Sequence, residues 1–506
     1  MAALSALSHK KKRPRRSPAG RERKQPCAGG PPWAARCPAE RGRGMLFIAL
    51  SVDLVYTILC IGVGSSRNPG PPRTAGAGSG KGMENKGNHP GRTACMKILL
   101  VNKFHYRKGG SETYYFALAE ALRRAGHQVI FFAMDSKKNL PCEQAQYFVT
   151  NVEYNGPQGA AAQLKSGLKL LYSHEAKQKF AALLAAEKPD VVHLNLVHRQ
   201  ITLSVVDAAK AAGVPVVFTQ HDLICVCPNY TCLAPDGICE DCLKGNFAPC
   251  VKKRCVKGSR AKSLLAAAEA VLYRMRGSYN KIDCYITPSG FYRDLLQRAG
   301  FTKAPIRHIP NFLPGGTVFA PVPCEAQAKL LYLGRLTPEK GLPTLLNALA
   351  ACPDACLEIA GEGPQRAELE QQVRDLGLGD RVKFLGFLTG QPLTERLNAC
   401  RAVVLPSEWY ENGPYSVMEA LAVGKPVLGS RIGGIPEMVQ EGQTGFLFRP
   451  GDAEDLAAAI GRLYGLTEEG YQALCRSAAA FAAETFSVEA YLAQLLPIYE
   501  RLTGKQ

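Results

Sequence analysis

Two carboxylates lie close together in the segment "PSEWYENGPYSVMEALAVGKP", residues 406–426: Glu411 and Glu419, with seven residues between them. Glu411 follows the apolar run "AVVLP" and precedes an Asn-Gly-Pro turn, which predicts a loop at the carboxyl end of a strand. Glu419 falls in the helix predicted from "SVMEALAVG", for which Ser416 would be the N-cap. A carboxylate accepts hydrogen bonds from two adjacent hydroxyls, so Glu419 would suit a ribose and Glu411 a sugar.

Other interpretations of this pair are open. Glu419 would favour a helix N-terminus in any protein, and Glu411 would then be a surface loop residue. A hydrolase acid/base pair needs two carboxyls that face each other across one bond. The loop-and-helix placement favours instead a contact with the two ends of one nucleotide-sugar.

A second group of residues has the chemistry to bind phosphate. "GRLTPEKG" places Gly334, Arg335 and Lys340 after a predicted strand. Arginine offers a planar fork of donors and lysine a compact charge, which together suit a diphosphate. A solvated turn is the alternative for this motif.

Two glycine turns complete the candidate site. "AGEGP" contains Gly361, Glu362 and Gly363 at the end of the next strand, where a backbone without side chains can approach a ring or a ribose. "KGGSE" contains Gly109 and Gly110 near the start of the regular part of the chain. Each of these turns is a weak signal when taken alone.

The elements that must position these residues alternate between strand and helix from Met96 onwards. The first are the strand "MKILLVN", the loop "KFHYRKGGSE" and the helix "TYYFALAEALRRAG". Continuous Val/Ile/Leu strands separated by helices predict a parallel sheet covered on both faces. The alternation stops at "NFLPGGTVFAPVP", rich in Pro and Gly, and then resumes. We predict an α/β fold of two doubly wound, Rossmann-like domains facing a central cleft.

These patterns predict five segments. They are a basic low-complexity extension (1–95), an N-terminal acceptor domain (96–310) with a cysteine-rich insert (225–258), a linker (311–325), a C-terminal nucleotide-sugar domain (326–485) and a last helix that returns to the N-terminal domain (486–506).

The net charge of +19 is concentrated in the extension, where 17 Lys/Arg face 4 Asp/Glu against 45 and 39 in the rest of the chain. The body is therefore only mildly basic, and its basic segments lack the interleaved aromatics of a nucleic-acid-binding module. The extension also contains the apolar segment 45–64. A start upstream of the natural one, a membrane anchor and an uncharacterised extension are the three explanations, of which the anchor is not favoured.

The insert carries cysteines at metal-ligand spacing, namely Cys239, Cys242, Cys250 and Cys255, with Cys227 as an additional candidate. A structural zinc ion or iron–sulfur cluster, a set of reduced thiols and a local disulfide are all open. Beyond the insert, "KKRCVKGSRAKSLLAAAEAVLYRMRG" predicts a helix with a basic flank. Its basic side would either face water or dock on anionic lipid.

The motifs "KGGSE", "GRLTPEKG", "AGEGP" and the Glu411/Glu419 pair together resemble the retaining family 4 glycosyltransferases, whose signature is E-x7-E. The resemblance covers residues 96 to about 503. It implies the GT-B fold, a nucleotide-diphosphate sugar as donor, most often a UDP-sugar, and no metal or other cofactor for catalysis. The cysteine insert resembles that of a bacterial branch of this family.

The resemblance also implies roles for individual residues. Glu411, His221, Arg335 and Lys340 would be catalytic: Glu411 and His221 would contact the donor sugar, and the two cations would stabilise the leaving diphosphate. The donor would be bound by Gly109, Gly110, Gly334, Arg335, Lys340, Gly361, Glu362, Gly363, Asn412, Gly413, Pro414, Tyr415 and Glu419.

As an activity, the resemblance implies transfer of a hexose, with retention, to a glycan or lipid-linked acceptor in polysaccharide or glycolipid assembly. The enzyme would be cytoplasmic or peripheral at the inner face of the membrane and would bind no nucleic acid. The alternative is another GT-B enzyme, such as a sucrose or glucan synthase, and a nucleic-acid-binding protein is the remote one.

Overall fold

The computed structural model describes residues 94–151, 169–325 and 329–505. All of them belong to one compact unit, His89–Gln506. The apolar segment 45–64 and nearly all of the basic extension lie outside these residues. In the described parts of the chain, no helix is both long and apolar enough to cross a lipid bilayer.

The first half of the unit is built on a six-stranded, all-parallel sheet with the order β2-β1-β3-β4-β7-β8. The strands of this half are β1 (Lys97–Val101), β2 (Gln128–Phe132), β3 (Val191–Leu194), β4 (Val216–Thr219), β5 (Leu233–Ala234), β6 (Gly237–Ile238), β7 (Cys284–Thr287) and β8 (Ile306–His308). Its helices are α1 (Gly110–Arg124), α2 (His174–Glu187), α3 (Ser204–Ala211), α4 (Ala248–Lys252), α5 (Arg260–Met275) and α6 (Gly290–Ala299). The short strands β5 and β6 form a separate hairpin in the cysteine-rich insert.

The second half repeats this plan with the strand order β11-β10-β9-β12-β13-β14, again all parallel. Its strands are β9 (Leu330–Leu333), β10 (Leu357–Ala360), β11 (Val382–Gly386), β12 (Ala402–Leu405), β13 (Val427–Ser430) and β14 (Gly445–Phe448). The helices of this half are α7 (Leu342–Ala350), α8 (Arg366–Asp375), α9 (Gln391–Ala399), α10 (Tyr415–Ala422), α11 (Ile435–Met438), α12 (Ala453–Tyr464), α13 (Glu468–Phe486) and α14 (Val488–Thr503). The predicted pair of doubly wound parallel sheets is thus confirmed.

The strand order of each sheet determines where a ligand can bind. The chain reverses its direction of growth between β1 and β3 in the first sheet and between β9 and β12 in the second. Loops that leave the carboxyl ends of such neighbouring strands diverge to opposite faces and open a crevice between them. "KGGSE" follows β1, "GRLTPEKG" follows β9, and Glu411 follows β12. The candidate motifs therefore lie at the reversal points of both sheets.

The last helix packs on the first sheet although it follows the second in sequence. Tyr491, Leu495 and Tyr499 of α14 are fully buried among residues of β1, β2 and α1. Two segments connect the halves: one near Leu313 leads into the second half, and one near Phe486 leads back to the first. These segments are in contact, since Leu313 N donates a hydrogen bond to Phe486 O at 2.9 Å. The two connections between the halves therefore lie side by side.

Candidate active site

A cleft of about 710 Å³ lies between the carboxyl ends of the two sheets. Its walls contain most of the residues that the sequence singles out. These are Gly109, Gly110, His221, Gly334, Arg335, Lys340, Gly361, Glu362, Glu411, Asn412, Gly413, Pro414 and Tyr415. Gly363 and Glu419 are not among the lining residues.

The Glu411 carboxylate is buried and held through one oxygen. Oε1 accepts hydrogen bonds from Lys340 Nζ at 2.6 Å, Ser407 Oγ at 2.6 Å and Trp409 Nε1 at 2.9 Å. Burial raises the pKa of Glu411, but the Lys340 ammonium and these hydrogen bonds outweigh it, so the pKa lies below the ordinary value. The carboxylate is therefore ionised, and no donor among the described residues contacts Oε2.

The two predicted phosphate-binding cations have different surroundings. The Lys340 side chain is only 13% exposed beside Glu411, with its ammonium 5.3 Å from the centre of the Trp409 ring. The Arg335 side chain is 64% exposed and pairs with Glu339 at 3.2 Å. An exposed pair of this kind contributes little and exchanges readily with water or a ligand. Arg335 is thus weakly held in its present position, whereas Lys340 is held by its ion pair with Glu411.

The glycines of "AGEGP" have a packing reason that the sequence did not indicate. A Cβ on Gly361 would lie 1.8 Å from Gly334 O, and one on Gly363 would lie 2.2 Å from Leu336 O. Any side chain at these positions would push apart the loops that follow β9 and β10. Gly363 therefore allows these two loops to pack closely, although it does not itself line the cleft.

His221 follows β4 and lines the first-domain wall of the cleft. Its Nε2 lies 2.9 Å from Asn195 Oδ1, and the Asn195 amide nitrogen donates to Val101 O at 3.3 Å. Because the amide oxygen faces the imidazole, Nε2 carries the proton and Nδ1 is free to accept. Burial lowers the pKa of His221 to about 4, so the ring is neutral near pH 7.

Glu419 lies on α10 and is partly buried. It makes no hydrogen bond or ion pair with any residue that the structure describes. Burial raises the pKa of Glu419 to about 7. A desolvated carboxylate without donors gains most from a ligand that brings hydroxyl groups.

The start of α10 differs from the sequence-based expectation. The helix begins at Tyr415, the N-cap is Pro414, and the cap makes no side-chain hydrogen bond. The prediction that Ser416 caps this helix was therefore wrong, because the fixed φ of Pro414 already sets the entry two residues earlier. Tyr415 instead reaches the other domain: a Cβ on Gly110 would lie 3.3 Å from its Cδ2.

Contacts around Asn412 join the two walls of the cleft, and sequence reasoning missed them. Asn412 Nδ2 donates to Gln220 O at 3.0 Å, and Ser289 Oγ donates to Asn412 Oδ1 at 2.9 Å. Asn311 Nδ2 donates to Gly413 O at 3.3 Å. Polar residues that end or follow the strands of the first sheet were the available signal. The loop with Glu411 is thereby fixed against the first domain.

A further carboxylate crosses between the domains outside the cleft. Glu437 of α11 accepts from Gly290 N at 2.7 Å and from Phe291 N at 2.6 Å. These amides belong to the first turn of α6, where backbone N–H groups have no partner within the helix. Glu437 therefore caps a helix of the opposite domain.

The cysteines of the insert do not form a metal site in the arrangement seen here. Among the described residues, no group of three or more His, Cys, Asp or Glu could hold a metal ion, and all described cysteines are free thiols. Cys242 and Cys250 are buried instead in an apolar cluster with Phe247 and Val256. The zinc or iron–sulfur site at Cys239, Cys242, Cys250 and Cys255 stays a prediction.

Comparison with known proteins adds two family matches. Residues 108–314 match the model for Glycosyltransferase Family 4, and residues 320–477 match the model for Glycosyl transferases group 1. An uncharacterized 42.6 kDa protein in the cps region of Klebsiella pneumoniae is 26% identical over 68% of this chain and 87% of its own length. Sulfoquinovosyl transferase SQD2 of Arabidopsis thaliana is 37% identical over 26% of this chain, and the match spans only 25% of the plant protein.

Solved structures share the architecture over most of the described unit. Sucrose-phosphate synthase from Thermosynechococcus elongatus superposes with a TM-score of 0.57 at 25% identity. The match covers 81% of this chain and 99% of the synthase chain. Anabaena HepE in complex with UDP gives a TM-score of 0.58 at 22% identity over 80% of this chain and 100% of HepE. The chain has two doubly wound sheets of parallel strands that face one cleft, and it matches the two glycosyltransferase domain models one after the other. It therefore belongs to the GT-B glycosyltransferase superfamily.

Proposed function

We propose that the protein is a retaining glycosyltransferase that transfers a hexose from a UDP-sugar to a glycan or lipid-linked acceptor in polysaccharide or glycolipid assembly. The observation that carries this proposal is a pair of unlike carboxylates: Glu411 lines the cleft, and Glu419 lies one turn into α10, whose first residues line it. Glu411 is ionised and offers a free Oε2, while Glu419 is partly buried without a donor. A ligand with sugar hydroxyls at one end and ribose hydroxyls at the other would satisfy both.

The cleft residues suggest how the transfer proceeds. The bond between the anomeric carbon and the diphosphate oxygen breaks, and Lys340 and Arg335 offset the charge that develops on the departing diphosphate. Arg335 would leave Glu339 for the phosphates, because its present pair is weak. The acceptor hydroxyl attacks from the leaving-group face, and its proton passes to the departing phosphate oxygen. Neutral His221 and Glu411 would hold the sugar, and the closed cleft would exclude water.

Support for a nucleotide donor comes from related proteins. HepE of Anabaena has been solved with UDP, and also with UDP-glucose. We propose that catalysis needs no metal ion, because Lys340 and Arg335, which line the cleft, would offset the charge of the diphosphate. We propose a cytoplasmic location for the reaction.

A donor panel tests this proposal. We expect one class among UDP-, GDP- and ADP-sugars to raise the melting temperature of the protein, and Glu419→Ala to abolish that shift. Proton NMR of the first-formed product would then report the anomer. An inverted product would exclude the retaining mechanism, and folded protein without a response to any donor would exclude the donor site.

A sucrose-phosphate synthase type of transfer is the second candidate, favoured by the similarity to the Thermosynechococcus enzyme. The same panel separates the two, if each responding donor is then incubated with sugar-phosphate and with lipid-linked acceptors. Product with the sugar phosphate alone would select this second candidate.

A further inference from the structure

Helix α5 exposes an apolar stripe that no other described residue covers. Leu264, Val271 and Met275 are 56%, 38% and 59% exposed. With Ala268 they lie at positions i, i+4, i+7 and i+11, which fall on one face of an α-helix. Exposed apolar residues usually occur singly, so a contiguous stripe indicates an interaction surface.

The opposite face of α5 explains why the stripe points outward. Glu269 and Tyr273 of α5 are buried in the first domain, with Glu269 Oε2 lying 3.5 Å from Arg199 Nε. Ala266, Ala267 and Ala270 pack against the apolar cluster of the cysteine-rich insert. The helix is therefore fixed on both of its other sides, and the stripe cannot turn inward.

A dense group of cations lies at the amino end of the same helix. Residues 251–262 contain six Lys/Arg and no Asp/Glu. Lys253 is paired with Asp236 and Asp241. The other five are exposed and form no ion pair with the described residues; they are Lys252, Arg254, Lys257, Arg260 and Lys262.

We infer that α5 and its basic amino end form a docking surface for an anionic lipid bilayer, with the apolar stripe entering the headgroup region and the helix lying in the membrane plane. The charge argues for lipid over a second copy of this chain, because two copies would bring ten unpaired cations together. A helix with an apolar face and a cationic flank is the usual form of an interfacial helix. Each basic side chain near an anionic surface adds about fivefold to the partition coefficient.

This inference does not depend on the identity of the donor or acceptor. It would, however, place the first-domain wall of the cleft near the lipid, since Glu269 on the back of α5 pairs with Arg199, whose guanidinium lies 5.8 Å from the ring of Tyr230 in that wall. An acceptor anchored in the bilayer would then reach the cleft from the docked side.

Vesicle flotation of the full chain tests the surface. The probes are vesicles of phosphatidylcholine alone and of phosphatidylcholine with phosphatidylglycerol, at low and high sodium chloride. We expect flotation with the anionic vesicles only, and its loss at high salt, because screening shortens the reach of surface charge to a few ångströms.

Paired variants assign the binding to α5. Lys252→Gln with Lys262→Gln should lower the partition coefficient about 25-fold, and Leu264→Ser with Met275→Ser at least about tenfold. The matched controls are Lys303→Gln with Lys383→Gln, two exposed lysines elsewhere, and Val318→Ser, whose side chain is 73% exposed. Both controls should float like the wild type, and the circular dichroism spectrum and melting temperature of every variant verify the fold.

Three outcomes would overturn the inference. Equal flotation of all variants would assign the binding to another part of the chain, such as the apolar segment 45–64. Equal binding to both kinds of vesicle would remove the role of charge. If the Leu264/Met275 variant changed the sedimentation coefficient of the protein without changing flotation, a second copy would be the occupant of the stripe.

Discussion

At the scale of single residues, Glu411 stands out because three donors converge on one of its oxygens. Lys340, Ser407 and Trp409 fix Oε1, which leaves Oε2 as the atom that a ligand can reach. The carboxylate is thus oriented before any donor binds. Preorganised charge of this kind acts on the transition state more than on the ground state.

Replacing Glu411 by Gln should therefore reduce turnover far more than nucleotide affinity. We expect kcat to fall about 10²- to 10³-fold, while the dissociation constant of UDP changes by less than about threefold. Steady-state kinetics and calorimetry measure the two quantities. Glu408→Gln is the matched control, because Glu408 belongs to the same loop but bonds to Thr344. Equal losses of turnover and affinity would contradict the role given to Glu411.

If Glu419 binds the ribose as proposed, we expect nucleotide binding to depend on pH. Its pKa of about 7 means that the free protein holds a proton there below neutrality, whereas ribose hydroxyls need the ionised form as acceptor. Donor binding must then expel the proton, so UDP-glucose affinity should fall about thirtyfold from pH 8 to pH 5.5. Calorimetry across this range measures the effect.

Glu419→Gln provides the control for that measurement. The variant should bind weakly at every pH and show no such slope, because nothing titrates at this position. His221 contributes nothing in the same range, since its pKa of about 4 keeps the ring neutral. A slope that survives in Glu419→Gln would assign the proton to another group.

The chemistry of single residues was easier to predict than their partners. The carboxylates, cations and glycines of the cleft stand in short motifs, so their types and spacing are visible in the sequence. Ser407, Trp409 and Asn195 were missed as supporting residues, because their role depends on where a side chain points after folding. A sequence signal was present for each of them: Ser407 and Trp409 follow the apolar run "AVVLP", and Asn195 follows the apolar residues of β3.

At the scale of elements, the contact between α11 and α6 links two domains through one carboxylate. Glu437→Gln should weaken it, because an amide lacks the charge that interacts with the helix dipole. We expect the closed cleft to be less populated and UDP to bind about three- to fivefold more weakly. Calorimetry checks the affinity, and the radius of gyration from X-ray scattering should rise.

Glu454→Gln is suited as the control for this change. Glu454 also lies in the first turn of a helix in the second domain, but it is exposed and contacts no residue of the first. An unchanged affinity for UDP in Glu437→Gln would show that the contact does not govern closure.

Two of the strands that sequence patterns failed to predict lie at the edges of the two six-stranded sheets. The buried central strands appear as continuous apolar runs, and these were predicted within a few residues. The outermost strands β8 and β14 were missed, since β8 has only three residues with an exposed arginine at its centre and β14 begins at a glycine that reads as part of a turn. Helix α13 was also not predicted.

At the scale of the whole molecule, α14 closes the first domain through a buried polar network. His193 Nε2 lies 2.7 Å from Thr219 Oγ1, while its Nδ1 is hydrogen-bonded to Tyr499 OH. Tyr114 OH lies 3.2 Å from the same Thr219 hydroxyl and is hydrogen-bonded to Tyr491 OH. The end of the chain thus completes the core of the domain that begins it.

Tyr499→Phe should leave one nitrogen of His193 buried without a partner. We expect the free energy of unfolding of the protein to fall by about 1–3 kcal/mol, measured by urea denaturation followed by circular dichroism. Tyr147→Phe is the control, because that hydroxyl makes no hydrogen bond with the described residues. A loss of the same size in both variants would mean that the network adds nothing specific.

The two-domain plan followed from the repeated strand–helix alternation, but the contacts between distant parts did not. The network of Tyr114, His193 and Tyr499 joins residues separated by hundreds of positions, and no local pattern encodes such a pairing. The predicted boundaries at residues 310, 325 and 485 stay predictions.

The hydrogen bond between Leu313 and Phe486 has a kinetic consequence. Since the two connections between the domains lie side by side there, relative motion of the domains is confined to rotation about a single pivot. The cleft must then open before the nucleotide departs, and opening rotates a whole domain through the solvent. If release limits the overall rate, turnover should decrease as the viscosity of the medium is raised with glycerol or sucrose.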